Sequence, residues 1–245
     1  MILHIPHGST QLAGLTVNPE SVLLLTDHFT DDLFHFNDAE TKLVSDYNRH
    51  VVDLERLVDD PLEAKGQGIL YKKDLFGGEI DRSQLDNQAL LDYFHQHHRN
   101  LGHYVRKYLA YFETCILVDC HSFGDQQLGL QNTPDFCIGF NNDTTYDVGL
   151  VKLLVDHFQT SGYSVGLNEP YAFSMSIANP PFGFYSVMIE VNKRLYMDIE
   201  QGQAVKNQHY EATKRVIHSA LQKIQEYEED NGPNMGKLIS REYKY

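Results

Sequence analysis

Chemically active side chains lie at the ends of three short apolar runs of the chain. His4 and His7 belong to the segment LHIPHGS. His121 closes the run in TCILVDCHS, and Glu190 follows VMI in SVMIEVNKR. Two imidazoles and a carboxylate suit zinc, because catalytic zinc usually takes three protein ligands and leaves one position for water. A hydrogen-bonded structural role is the alternative for each histidine alone, and their joint occurrence with Glu190 favours a metal site.

Glu190 and two arginines extend this chemistry. The apolar residues before Glu190 place its carboxylate in or beside the core, where an unpaired charge is costly. Either it forms an ion pair with Lys193 or Arg194, or it acts as a general base beside a metal-bound water. Arg56, in VVDLERLVDD, and Arg194 each suit a substrate carboxylate through paired N–H donors. A salt bridge to nearby acidic residues is the alternative for both arginines.

Other polar residues are weaker candidates. Asp27 and Asp31 are four residues apart in TDHFTDDLF, a spacing that suits a metal or substrate but also an acidic helix start. Asn168, in GLNEPYAFSM, suits either a pocket loop or a turn. The segment YFHQHHRNLGHY contains four histidines, but no two of them have the four-residue spacing that places a zinc-binding pair on one helix face.

The elements that must position these residues alternate between short and long. Short apolar runs predict strands, and longer stretches with apolar residues three to four apart predict helices. This alternation predicts an α/β fold with parallel strands covered on both faces, and ligands bind at the carboxyl ends of such strands. The predicted strands are residues 2–5, 50–54, 115–118, 136–140, 164–166 and 184–191. The predicted helices are residues 19–48, 83–113, 145–161 and 201–229.

Composition restricts the class of protein. The 245 residues are 42% hydrophobic, which suits a single globular domain with a polar tail from about residue 228. A net charge of -14 argues against nucleic acid or anionic membranes as partners. Without a signal sequence or an apolar run of roughly 18 residues, we expect a cytoplasmic protein. The three cysteines are expected to be reduced core residues, and phosphate-binding glycine loops and serine-hydrolase motifs are absent.

In chain order, several segments resemble the N-formylglutamate amidohydrolase family over roughly residues 1 to 200. They are HIPHGS, TDHFTDDLF, VVDLERLVDDPLEAKGQGILY, YFHQHHRNL, LVDCHS, DFCIGF, NEPYAFS and MIEVNKRLYMD. The resemblance implies a zinc carboxypeptidase-like α/β/α sandwich of three layers with a mixed, mostly parallel sheet. It also implies hydrolysis of N-formyl-L-glutamate to formate and L-glutamate, a step of histidine breakdown. Hydrolysis of another N-acyl amino acid or a short peptide, and a non-catalytic binding protein, are the alternatives.

The resemblance also implies roles for residues of the metal site. His7 and His121 match the two histidine ligands of zinc or another divalent metal, and Glu190 matches the catalytic glutamate. Thr10 stands where the wider group of zinc hydrolases has a glutamate ligand. Asp27 is therefore the expected third ligand, with Asp31 as the alternative.

The expected partner is a small anionic N-acyl amino acid, and a homo-oligomer stays open. Arg56 matches the residue that holds the substrate carboxylate, although Glu55 replaces an asparagine of aspartoacylase-like enzymes. Phe173 stands where many members have glycine, which is expected to narrow or reshape the acyl pocket. The other residues assigned to substrate binding are Arg194, Asn168, Ser122 and His98.

Overall fold

The structure is a computed structural model that describes residues 1–36, 41–57, 60–125, 129 and 132–231. Its strands are β1 (Ile2–Ile5), β2 (Thr41–Val44), β3 (Cys115–Phe123), β4 (Phe136–Gly139), β5 (Val165–Leu167), β6 (Phe184–Asn192), β7 (Met197–Glu200) and β8 (Gln203–Lys206). Its α-helices are α1 (Pro19–Leu25), α2 (Thr30–Leu33), α3 (Asn87–Leu109), α4 (Val148–Thr160) and α5 (Tyr210–Asn231). Two short 3₁₀ helices span Pro61–Lys65 and Lys193–Leu195.

Six strands form one mixed sheet in the order β2-β1-β3-β6-β4-β5. β2, β1, β3 and β6 are mutually parallel, whereas β4 pairs antiparallel with β6 and parallel with β5. The central pair, β3 and β6, is in register over nine residues. The predicted α/β class with a mixed, mostly parallel sheet is confirmed.

Helices cover both faces of the sheet. Ile116 and Val118 belong to a core cluster with residues of α4 and α5. Leu117 points to the opposite face and packs in a second cluster with Leu101 of α3. Because successive strand residues point to opposite faces, a strand covered on both sides must be apolar at every position, as the start of β3 is. The result is the expected three-layer sandwich.

Two stretches differ from the sequence-based expectation near the N-terminus. Residues 19–48 do not form one helix, because α1 ends at Thr26, whose backbone is extended (ψ 135°). The amide of Asp27 instead donates to His7 O at 3.0 Å, so tertiary contacts override the helical periodicity. Residues 41–44 then add an edge strand beside β1.

Residues 50–54 form turns rather than a strand. The carbonyl and side chain of Asn48 accept hydrogen bonds from the Val51 and His50 amides, at 2.8 and 3.1 Å, which closes the turn. Val51 and Val52 are fully buried in a cluster beneath the loops, so their composition resembles that of a strand. Residues 201–209 are likewise not helical. A β7–β8 hairpin turns at Gln201 and Gly202, both with positive φ.

The C-terminal part of the described chain is a packed helix. Glu228 is buried and accepts a hydrogen bond from the Ile116 amide at 2.8 Å, so a polar tail does not begin at residue 228. The rest of the predicted tail, residues 232–245, lies outside the described residues. The three cysteines are free and buried, as expected.

A helix that spans a membrane must be both long and apolar. Across the ranges that the structure describes, no helix combines the length and hydrophobicity needed to span a bilayer.

Candidate active site

Polar side chains share one face of the sheet at the carboxyl ends of its central strands. Asp119 and His121 are two residues apart in β3, so both point to the face that α3 covers. His4 of β1 pairs in register with Asp119, and Glu190 of β6 pairs with His121. His7 follows the end of β1. Strand pairing and the two-residue period therefore bring together side chains that are distant in sequence.

His7, His121 and Asp27 face one another. The two imidazole rings have centroids 5.1 Å apart. Asp27 Oδ2 lies 3.8 Å from His7 Nδ1 and 3.2 Å from His121 Nδ1. Ser122 Oγ donates to the other oxygen, Asp27 Oδ1, at 3.1 Å. Although burial opposes ionisation, the hydrogen bond to His121 and the charge of Lys193 lower the pKa of Asp27 to about 2, so it stays a carboxylate.

Glu55 is a second carboxylate at the imidazoles, which we did not predict as a ligand. Its Oε1 lies 2.9 Å from His121 Nε2, and its Oε2 lies 3.6 Å from His7 Nδ1. His7, Glu55 and His121 each offer a ligand atom within 4.8 Å of the other two. Glu55 therefore completes a group with the two histidines that could hold a metal ion, and Asp27 lies within 3.8 Å of Nδ1 of each histidine.

A buried carboxylate contacts the Nε2 atom of each imidazole. His7 Nε2 lies 2.9 Å from Asp53 Oδ1, and His121 Nε2 lies 3.0 Å from Asp119 Oδ1. Asp53 is fixed by Arg49, whose Nε and Nη2 both donate to Asp53 Oδ2. Although burial opposes ionisation, the charge of Arg49 keeps the pKa of Asp53 well below its ordinary value. Such carboxylate–histidine pairs fix the tautomer and ring orientation of metal-binding histidines.

Asp119 is in turn held from three sides. His4 Nδ1 lies 2.7 Å from Asp119 Oδ1, and the Met175 amide donates to Asp119 Oδ2 at 2.7 Å. His4 Nε2 shares a hydrogen bond of 2.9 Å with His97 Nε2 of α3. This buried chain of hydrogen bonds connects α3 to His121 and holds the His121 ring in place.

The donor set fits a divalent cation. With Nε2 of each imidazole contacting a buried carboxylate, Nδ1 of His7 and Nδ1 of His121 face Asp27 Oδ2. Without a proton these Nδ1 atoms carry lone pairs, and a proton on His121 Nδ1 forms its hydrogen bond to Asp27. Lone pairs and a carboxylate this close repel one another unless a cation or a proton lies between them. Although burial lowers it, the charges of Glu55 and Asp119 raise the pKa of His121 well above its ordinary value. Imidazole and carboxylate ligands suit zinc and related divalent metals.

Glu190 stands beside this set without a hydrogen-bond partner for Oε2 in the part of the chain that the structure describes. Burial raises its pKa to about 8. Lys193, the ion-pair partner considered from the sequence, donates instead to Leu24 O at 2.7 Å and lies 3.8 Å from Asp27. A buried carboxyl with a free oxygen and a raised pKa is the arrangement expected of a general base or acid.

A cleft of about 820 Å³ opens over these residues. Arg49, Arg56 and Tyr71 form one part of its wall. Arg56 Nε donates to Gln67 O and Nη2 donates to Tyr71 Oη, whereas Nη1 of Arg49 and of Arg56 has no partner among the described residues. The two guanidinium groups therefore present free donors next to the metal-type site.

Only some of the remaining predicted residues line the cleft. Ser122 and His98 line the cleft. Arg194 does not, because it forms ion pairs with Asp125 and Asp135, at 3.0 and 2.9 Å, on the loops beside β3 and β4. The salt-bridge interpretation therefore describes Arg194, and its assignment to substrate binding is corrected.

Asn168 and Asp31 are also outside the cleft wall. Asn168 adopts a positive φ of 50°, and its side chain bonds both the amide and the carbonyl of Phe140. It is a turn residue that fastens the following loop to β4. Asp31 is exposed on the short helix α2, so Asp27 alone of this pair approaches the histidines.

Sequence reasoning missed four residues of the site. Arg49 and Glu55 flank residues 50–54, whose turns we expected to be a strand, and Asp53 and Glu55 were considered only as acidic residues that could pair with an arginine. Asp119 was visible two positions before His121, and this spacing is the signal that both share a face. The missed residues are Arg49, Asp53, Glu55 and Asp119.

The sheet and the histidine–carboxylate cluster define the class as an α/β/α protein with a buried group of residues that could hold a metal ion. The family model for N-formylglutamate amidohydrolases matches residues 1–197, and the chain belongs to this family. The fold is similar to the crystal structure of N-formylglutamate amidohydrolase from Ralstonia eutropha JMP134, with a TM-score of 0.78, 23% identity and 92% of each chain covered.

A second solved structure, gene product Atu2144 from Agrobacterium tumefaciens, has a TM-score of 0.61 and 17% identity, with 92% of this chain and 91% of that chain covered. Both structural likenesses support the fold. A search of curated proteins found no significant match. Family membership supports hydrolysis of an amide bond as the class of activity.

Proposed function

We propose that the protein is a metal-dependent hydrolase of N-acyl amino acids and that it cleaves N-formyl-L-glutamate to formate and L-glutamate. One observation carries the proposal: two buried imidazoles and a carboxylate converge beside Glu190, whose Oε2 has no partner among the described residues. Family membership supplies the substrate class.

His7 and His121, with Asp27 or Glu55, are the residues that would hold zinc or another divalent metal. Such an ion would polarise the amide carbonyl, acidify a water molecule and favour the ionised form of a neighbouring carboxyl. Asp53 and Asp119 keep Nε2 of each imidazole engaged, so that Nδ1 stays available as a ligand.

Glu190 moves the proton. Its free oxygen accepts a proton from the attacking water while the water oxygen bonds to the amide carbon. The C–N bond then breaks, and Glu190 returns the proton to the leaving nitrogen, which departs as the amine of glutamate. The acyl group leaves as a carboxylic acid, whose proton passes to the amine at neutral pH, so the overall reaction consumes one water. A carboxyl whose pKa burial raises to about 8 can exchange protons near neutral pH.

Arg56 and Arg49 bind the substrate carboxylates. Each guanidinium has an Nη1 without a partner in the described chain, and both line the cleft. A local positive field is required because a molecule with a net charge of -14 repels a dianion as a whole.

Metal content and kinetics test the proposal together. Protein purified without chelator should contain about one divalent ion per chain and lose activity in EDTA, with zinc restoring it. Glu190→Gln should lower kcat by about 100-fold or more, because a general base is lost. Arg56→Ala should mainly raise KM, by about tenfold, since it removes a charge-assisted hydrogen bond.

Arg194→Ala is the matched control for the arginine variant, because Arg194 lies outside the cleft wall. It should keep the wild-type KM. Hydrolysis of N-formyl-L-glutamate that resists EDTA and survives Glu190→Gln would refute the mechanism, and metal binding without any hydrolysis would indicate a binding protein instead.

A further inference from the structure

The cleft is larger than N-formyl-L-glutamate requires. A volume of about 820 Å³ lies in the upper part of the range for sites that enclose drug-sized ligands. The formyl group carries only hydrogen beyond its carbonyl carbon. N-formyl-L-glutamate therefore leaves part of the cleft unfilled.

The order of the strands gives the relative positions of these residues across the cleft. His7, which follows β1, contacts Asp53, and Asp53 is bound by Arg49, so the arginine wall lies at the β1 side. His121 and Glu190 lie on β3 and β6, the next two strands. β4 follows, about 14 Å from β1 at the usual strand spacing. A substrate whose carboxylates bind the arginines and whose amide lies at His121 and Glu190 directs its acyl substituent toward β4.

Phe173 occupies the rim at the β4 side. It lines the cleft, and its carbonyl oxygen packs so closely on Gly139 of β4 that a Cβ there would approach it to 2.2 Å. Its amide donates to Asn168 Oδ1 at 3.2 Å. These contacts fix the loop on β4 and place the ring at the mouth of the cleft, where the side chain is 58% exposed. The ring therefore lies at the rim of the cleft, and whether it narrows or reshapes the acyl pocket stays a prediction.

The backbone conformation of Phe173 is strained. Its φ is 73°, in the left-handed region that a bulky side chain rarely adopts. Burial does not compensate this strain, because more than half of the side chain faces solvent. Strained residues of this kind concentrate at binding sites. Met188, which pairs with Gly139 of β4, and Met175 also line the cleft, as do the polar residues Asn141, Ser174 and Ser176.

We infer that the β4 side of the cleft is a binding site for an apolar acyl chain, with Phe173 as a specificity-determining residue. The site extends the substrate class of the proposed function from N-formyl-L-glutamate to N-acyl amino acids with longer apolar acyl chains. This inference rests on the proposed function, because the arginines and Glu190 set the orientation of the substrate.

A series of N-acyl-L-glutamates with formyl, acetyl, butanoyl and hexanoyl groups tests the site. We expect kcat/KM to rise from acetyl to hexanoyl. Hydrolysis of the formyl compound with a steady fall in kcat/KM along the series would overturn the inference and leave the proposed function standing. Failure of every compound with metal-loaded protein would refute the proposed function as well.

Variants of Phe173 test whether its ring causes the preference for longer acyl groups. Phe173→Ala should lower the hexanoyl-to-formyl ratio of kcat/KM about tenfold, which corresponds to about 1.4 kcal/mol. Phe173→Gly should lower the same ratio and raise Tm, because glycine adopts the positive φ without strain. Phe182→Ala is the matched control, since Phe182 is 99% exposed and outside the cleft wall, and it should leave the ratio unchanged. An unchanged ratio in both Phe173 variants would overturn the assignment.

Discussion

Asp119 acts on the site through its contact with His121 rather than through the substrate carboxylates. It contacts His4, His121 and the Met175 amide at once, and each contact restrains its position. Although burial opposes ionisation, His121 and His4 keep the pKa of Asp119 well below its ordinary value. The ionised side chain therefore orients His121 through hydrogen bonding as well as charge.

Replacing Asp119 tests this orienting role. Asp119→Asn keeps the size of the side chain but removes the charge that fixes His121. We expect zinc affinity, measured by isothermal titration calorimetry, to fall about 10- to 100-fold. The control is Asp156→Asn, which changes an exposed pair with Lys152 on α4 and should leave zinc affinity unchanged. A folded Asp119→Asn protein with wild-type zinc affinity would contradict the role.

His50 makes stability depend on pH. Burial, and next the charge of Arg49, lower its pKa to about 4 in the folded protein from 6.5. Between these values the unfolded chain binds the proton more tightly, so stability falls as pH falls from 6.5 toward 4. From pH 7 to pH 5 the loss from this group is about 2 kcal/mol.

Urea unfolding of wild type and of His50→Gln at pH 7 and at pH 5 measures this loss of stability. The variant lacks the titrating ring and should lose less stability on acidification than wild type does. His209→Gln, at an exposed histidine, should behave as wild type. An equal loss of stability in wild type and His50→Gln would show that His50 does not cause the loss of stability at low pH.

At the scale of elements, β4 and the loop of residues 168–176 act as one unit. Gly139 permits the loop backbone to lie directly on the strand, and Asn168 bonds both polar backbone groups of Phe140. Tyr171 and Phe173 of this loop line the cleft. The geometry of the β4 side of the cleft therefore depends on the absence of a side chain at one strand position.

Gly139→Ala should disturb this unit. The new methyl group would meet Phe173 O at 2.2 Å and Met188 Cε at 2.4 Å, so the loop or the strand must shift. We expect a destabilisation of about 1–3 kcal/mol in urea unfolding, together with a higher KM. Gly124→Ala meets nothing closer than Lys193 Cδ at 3.7 Å and should be tolerated. Wild-type stability of Gly139→Ala would show that the loop is not held at this point.

At the scale of the whole molecule, charge opposes the proposed substrate. The net charge of -14 is spread over the protein, whereas Arg49 and Arg56 act only inside the cleft and are largely buried. Salt screens long-range interactions between exposed charges more strongly than contacts between partly buried groups. Association of a dianion should therefore become faster as salt is added.

We predict that kcat/KM for N-formyl-L-glutamate rises several-fold between about 10 and about 150 mM ionic strength. The uncharged diamide of the same compound serves as the control and should show no rise. A fall in kcat/KM with added salt would mean that the field of the two arginines dominates the encounter.

The success of sequence reasoning varied with the kind of element. Strands β1, β3 and β6 were predicted because they are buried on both faces and hence continuously apolar. The turns at residues 50–54 were predicted as a strand, since valines buried beneath a loop have the composition of strand residues. Single residues such as Glu55 and Arg49 gave no periodic signal, because loop positions have none.

The sequence by itself determined the fold class, the family resemblance and the histidines at the ends of β1 and β3, because apolar periodicity and local motifs are properties of neighbouring residues. Only the tertiary structure decided which carboxylates face those histidines. Glu55 joins His7 and His121, Asp31 does not approach them, and Arg49 rather than Arg194 lines the cleft. Such pairings depend on strand order and on the path of loops across the sheet, which bring residues together at separations that no local pattern records.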